Sequence, residues 1–111
     1  MTSSAPPITE REFMDQVTQL AEIRGWSWAH FRPAMTTKGW RTPVSGPLGK
    51  GWPDLVLARP NDRILFVELK RNRAAKETPE QRFALDWLGS SKAIVYTWRP
   101  EDWETIEWVL R

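Results

Sequence analysis

Three residues in the middle of this chain could do chemistry together: Asp54, Glu68 and Lys70. Glu68 closes the apolar run Ile64-Leu65-Phe66-Val67, and Asp54 stands fourteen residues upstream, after Pro53. The run is short, branched or aromatic, and bounded by turn residues, so it predicts a buried β-strand. Strand side chains alternate, which puts Ile64, Phe66, Glu68 and Lys70 on one face. Asp54-Leu55-Val56-Leu57-Ala58 predicts the preceding strand, with Pro60-Asn61-Asp62 as the turn between them. A loop of those three residues sets Arg59 opposite Arg63 and Asp54 opposite Glu68. Opposed side chains in such a pair have Cβ atoms roughly 5 Å apart. Two carboxylates that close repel unless one is protonated or a cation lies between them. Two hard oxygen donors beside an amine suit Mg²⁺ or Mn²⁺ and a phosphate.

The elements that must position these residues follow from periodicity and breakers. Thr9 is placed to cap a first helix, with Glu10 and Glu12 in its first turn and Phe13, Val17, Leu20 and Ala21 as its apolar face. Gly25 ends it. Trp26 to Phe31 alternates as a strand. Residues 32–51 are rich in Gly, Pro, Thr and cations and read as one long functional loop. The two central strands follow, then a basic connector, 71–77. Thr78-Pro79-Glu80-Gln81 opens a second helix. Gly89-Ser90-Ser91 breaks it, residues 93–98 form a further strand, and Pro100-Glu101-Asp102 opens a last helix. The expected class is α/β, in the order α-β-β-β-α-β with an additional C-terminal helix. Residues 1–7 read as a flexible tail and 8–111 as one domain.

Composition narrows the possibilities. The 111 residues include no Cys and one His, so thiol catalysis, a disulfide framework and a multi-His metal site within one chain are excluded. The N-terminus has no apolar segment of the secretory type, and no stretch approaches the ~20 apolar residues a membrane span needs. A soluble cytoplasmic protein is expected. Net charge is only +2, yet Arg24 to Lys76 holds eleven Lys or Arg against three acids, two of which are Asp54 and Glu68. A basic middle around two central acids suits nucleic-acid phosphate with a metal.

Pro53-Asp54 and Glu68-Leu69-Lys70 together resemble the signature of the PD-(D/E)XK nuclease superfamily. The stretch Gly51-Trp52-Pro53-Asp54-Leu55, the run Phe66-Val67-Glu68-Leu69-Lys70, Gln81 and the closing Tyr96-Thr97-Trp98-Arg99-Pro100-Glu101-Asp102-Trp103 resemble its VRR-NUC (virus-type replication-repair nuclease) branch, over roughly residues 8–103. The resemblance implies a restriction-endonuclease-like core. It also implies metal-dependent hydrolysis of DNA that leaves a 5′-phosphate and a 3′-hydroxyl. Asp54, Glu68 and the Leu69 backbone carbonyl would hold Mg²⁺ or Mn²⁺. Lys70 would orient or help deprotonate the attacking water. Glu10 would join the metal shell from the first helix, often through water, while Glu12 faces a more polar side. Gln81 would face the active site, or cap its helix with Thr78, or both.

His30, Arg32, Lys38, Arg41, Lys50, Arg71, Arg73 and Lys76 are candidate phosphate contacts. Trp40 and Trp52 are candidates to stack on exposed bases. Stand-alone members of this branch are mostly viral and act on branched DNA such as four-way (Holliday) junctions, which fits a phage protein working in a bacterial cytoplasm. One chain has one site and a symmetrical junction needs two cuts, so a homodimer is expected, with the last helix and its Trp103 and Trp108 as its interface. Two other readings stay open: a general or nicking DNA nuclease, and a catalytically silent DNA-binding module.

Overall fold

The structure, a computed structural model, describes residues 8–31, 34–41 and 44–111. Helix α1 (Glu10–Ile23) starts at a complete capping box: the Thr9 hydroxyl accepts from the Glu12 N–H, and the Glu12 carboxylate accepts from the Thr9 N–H, both at 3.0 Å. Glu12 is thus a helix cap and Glu10 is left for other work. The helix ends where Gly25 adopts φ +84°. Strand β1 (Ser27–His30) follows, then a two-stranded ribbon, β2 (Ala34–Thr36) and β3 (Gly39–Arg41). A single 3-10 turn, Gly49–Gly51, leads into β4 (Leu55–Ala58) and β5 (Ile64–Leu69). Helix α2 (Pro79–Ser90), strand β6 (Ile94–Trp98) and, after a further 3-10 turn, helix α3 (Trp103–Val109) complete the chain.

The main sheet runs β1-β4-β5-β6, antiparallel except for the parallel β5–β6 pair that α2 connects. Leu55, Leu57, Leu65, Val67 and Leu69 point to one face and pack with Phe13, Val17 and Ala21 of α1 and Ile106, Val109 and Leu110 at the other end of the chain. The alternate residues of β5, including Glu68, face the side covered by α2, where Ala84 and Leu85 are buried. The expected order of helices and strands is present.

Residues 32–51 depart from the expected structureless loop. They hold the β2–β3 ribbon and the 3-10 turn as well as the connections between them. The ribbon closes through Thr37-Lys38, with Gly39 at φ +97°. A hairpin this tight needs a residue that tolerates positive φ, and Gly39 supplies it.

Candidate active site

The β4–β5 register pairs Leu55 with Val67 and Ala58 with Ile64. One step further along the same register puts Asp54 opposite Glu68, and Arg59 opposite Arg63 at the other end. The Asp54 carboxylate is fixed from behind, because its Oδ2 accepts the Leu69 backbone N–H at 2.8 Å. Its own carbonyl accepts the Phe31 N–H at 3.0 Å, which ties it to the end of β1. Glu68 is 2 % exposed, and its Oε2 is a buried oxygen with no hydrogen-bond partner among the described residues. Burial pushes the Glu68 carboxyl well above its usual range. A hydrogen bond with Asp54 and that group's negative charge push the same way, and Lys70 only partly offsets them. Without a cation the surroundings of Glu68 thus favour its protonated form.

Lys70 lies just past β5, on the Glu68 face. Its Nζ donates to Gln81 Oε1 at 2.8 Å. The same oxygen accepts the Thr78 backbone N–H at 2.9 Å, and the Gln81 N–H donates to the Thr78 hydroxyl at 3.1 Å. Gln81 therefore caps α2 and holds the lysine at once, through the same side-chain oxygen. The helix is seated tightly: a Cβ added at Gly51 would lie 1.9 Å from the Glu80 carbonyl oxygen. Only a glycine lets the segment that carries Asp54 approach the first turn of α2 this closely.

A cleft of about 380 Å³ opens beside this group, lined by Glu10, Arg11, Met14, His30, Phe31, Asp54 and Leu69. Glu10 projects into it from the first turn of α1. Its carboxyl is raised above the ordinary value, first by burial and then by Asp54, with Lys70 and Arg71 acting in opposition. Asp54, Glu68, Lys70, Glu10, Gln81 and His30 are thus brought to one end of the sheet. Arg11 and Phe31, which line the same cleft, were not singled out by sequence reasoning. Helical spacing from Glu10 carries no signal for Arg11, and Phe31 reads only as the end of an alternating strand.

Two opposed carboxylates, one with a buried oxygen left over, form a donor set that suits a hard divalent cation. The Leu69 carbonyl is the neighbouring backbone oxygen. Among the described residues, no three His, Cys, Asp or Glu side chains converge closely enough to hold a metal between them. Glu10 lines the same cleft as Asp54 and feels its charge.

The expected phosphate contacts are scattered. Lys38 is exposed at the ribbon turn and Lys50 is exposed in the 3-10 turn. Arg71 is exposed beside the cleft, and its charge reaches Glu10. Arg73 and Lys76 line a second, open depression of about 540 Å³ with Arg82, Arg99 and Glu77. Arg82 and Arg99 were not anticipated. Arg99 holds the 71–77 connector in place by donating to the Asn72 and Ala75 carbonyls at 3.2 and 2.9 Å. Arg32 and the side chains of Arg41 and Trp40 lie outside the described residues. Trp52 is not a stacking platform: it is held edge-to-face between Phe31 and Phe66, at 5.9 and 5.8 Å, with its Nε1 buried. It props the loop that delivers Asp54.

No protein-family model matches the chain, and no curated protein does. Two solved structures do. One, titled "VRR_NUC domain", superposes with a TM-score of 0.66 at 20% identity, covering 91% of this chain and 92% of its own. The other, titled "VRR_NUC domain protein", gives a TM-score of 0.63 at 20% identity, covering 94% and 87%. The chain has the fold of the VRR_NUC domain.

Proposed function

We propose that this protein is a metal-dependent endonuclease that hydrolyses DNA phosphodiester bonds. One observation carries the reading: Asp54 and Glu68 are opposed at the open end of a hairpin, Glu68 keeps a buried oxygen with no partner among the described residues, and Lys70 is held beside them by Gln81. The likeness to VRR_NUC-domain structures supports it. In this reading Asp54, Glu68 and the Leu69 carbonyl hold Mg²⁺ or Mn²⁺, with Glu10 reaching it through water. The cation supplies charge neutralisation at the phosphate and acidity for the attacking water. Lys70 orients that water and screens charge developing on phosphorus, and Gln81 fixes the lysine. The water oxygen attacks phosphorus, the 3′-oxygen leaves with a proton, and the 5′ side keeps the phosphate.

The substrate proposed is branched DNA such as a four-way junction, cut by a homodimer. Trp108, 67 % exposed on α3, is available for the interface, whereas Trp103 packs against the monomer core. The test uses supercoiled, linear, single-stranded and four-way-junction DNA with Mg²⁺, Mn²⁺ or EDTA, beside Lys70→Ala. Metal-dependent cutting that Lys70→Ala loses supports a nuclease, and paired symmetric cuts at the junction, with a dimer by light scattering, support resolution. Equal cutting of every substrate points to a general nuclease. Binding without cutting points to a silent DNA-binding module.

A further inference from the structure

We infer that the β2–β3 ribbon is a groove-reading arm, which enters the major groove of duplex DNA beside the phosphate held at Asp54 and Glu68. The inference rests on the nuclease reading and adds how the duplex is gripped.

The ribbon is not part of the main sheet. Its two strands pair with each other as a separate sheet. Both of its roots are at the active site. The outgoing chain leaves β1 at His30, the register partner of Leu55, and the next residue, Phe31, donates its N–H to the Asp54 carbonyl. The returning chain passes through Gly49–Gly51 and reaches Asp54 three residues later. Those roots are braced. A Cβ at Gly49 would lie 2.7 Å from the Val44 carbonyl oxygen, Gly51 abuts α2, and Trp52 is wedged between Phe31 and Phe66.

Its dimensions and charge fit one partner. Three register pairs at ~3.3 Å per residue extend roughly 10 Å, enough to reach the floor of a major groove about 8.5 Å deep and about 12 Å wide, which admits a two-stranded ribbon. No acid occurs between His30 and Asp54, while Arg32, Lys38, Arg41 and Lys50 do. The turn residues Thr37 and Lys38 are both exposed at the tip. A peptide partner added to a strand edge would ask for no such one-sided charge. A polyanion does.

The chain contains no cysteine, so Thr37→Cys creates a unique thiol at the tip. Carrying an aryl-azide cross-linker in a Lys70→Ala background, which keeps the DNA whole, it should label bases within about one helical turn of the wild-type cutting position. Methylation of guanine N7, in the major groove, should suppress that labelling. Ser90→Cys, at the far end of α2 from Gln81, should give none. Replacing residues 34–41 with a short Gly-Ser turn should lower kcat/KM on duplex by at least about tenfold and spare a single-stranded substrate. The inference is overturned if bound DNA takes no label from position 37, if labelling ignores N7 methylation, or if the ribbon replacement slows all substrates alike. Wild-type cutting without label at position 37 sinks the arm and leaves the nuclease standing. Label at position 37 without cutting sinks the nuclease and leaves the arm.

Discussion

At the closed end of the β4–β5 hairpin two arginines face each other, and at the open end two acids do. The closed end is resolved internally. Asp62 stands between Arg59 and Arg63, accepting their Nε atoms at 3.0 and 2.9 Å. Arg59 stacks on Trp26 at 4.5 Å and donates to the carbonyls of Arg24 and Arg111 at 2.8 and 3.0 Å. Arg63 donates to Val109 at 2.9 Å. The guanidinium groups satisfy carbonyls that the end of α3 leaves over, and so clamp the C-terminus to the sheet. At the open end no described side chain bridges the two acids as Asp62 bridges the arginines, and the Lys70 amine offsets the charge there only in part. Like charges facing across a hairpin are a stability device where the counter-ion is a side chain, and in the proposed reading a binding site where it comes from outside.

Removing the unresolved end should abolish chemistry while leaving the fold. Asp54→Asn or Lys70→Ala is expected to lower the cleavage rate by about 100- to 10,000-fold, read on supercoiled DNA, with melting temperature little changed. An active Asp54→Asn variant would show that the acid pair is not the site. Gly51→Ala tests the seating of that end against α2. It is expected to destabilise by about 1–3 kcal/mol through forced separation from Glu80, and to slow cleavage as Gln81 and Lys70 shift together. The closed end should behave in reverse. Arg59→Ala is expected to cost about 2 kcal/mol in denaturant unfolding, through the lost Trp26 stacking and carbonyl contacts, with kcat unaltered in the protein that stays folded. A loss of kcat there would show that the two ends are mechanically coupled.

The pH dependence separates them with the smallest signal. Glu68 is raised above 4.5, so its contribution is fully present below that value and is lost as pH rises through the folded value. Asp62 is lowered below 3.8 by hydrogen bonds from Arg59 and Arg63, so its contribution is present above that value and is lost as pH falls. Metal-free protein should thus melt lower as pH rises from mildly acidic to alkaline, and Glu68→Gln should flatten that limb without touching the acid limb. An unchanged alkaline limb in Glu68→Gln would rule out a proton held on Glu68.

Much of this was legible in the sequence because it is local. Counting three turn residues fixed the register that opposes Asp54 to Glu68, and a one-residue error would have sent Glu68 to the core face. Thr9 and Thr78 announced their helices, and Gln81 three residues after Thr78 announced a capping box. What escaped depends on distant neighbours. The ribbon lacks the Asn-Gly or Asp-Gly turn that usually signals a hairpin. Trp52 became a prop rather than a stacking surface because Phe31 and Phe66 close around it. Arg59 and Arg63 gained their roles from a C-terminus nearly fifty residues away or more.

The acid pair also has a place in time. Asp54 and Glu68 are joined by a short antiparallel hairpin, whose closure takes about 1–10 μs in isolation. Gln81, which steadies Lys70, arrives only when α2 crosses over and β6 docks parallel to β5, a pairing of longer range and slower formation. A chain emerging from synthesis thus assembles its two acids before it can orient its lysine. In the proposed reading, the ability to cut would wait on α2 and not on the hairpin alone.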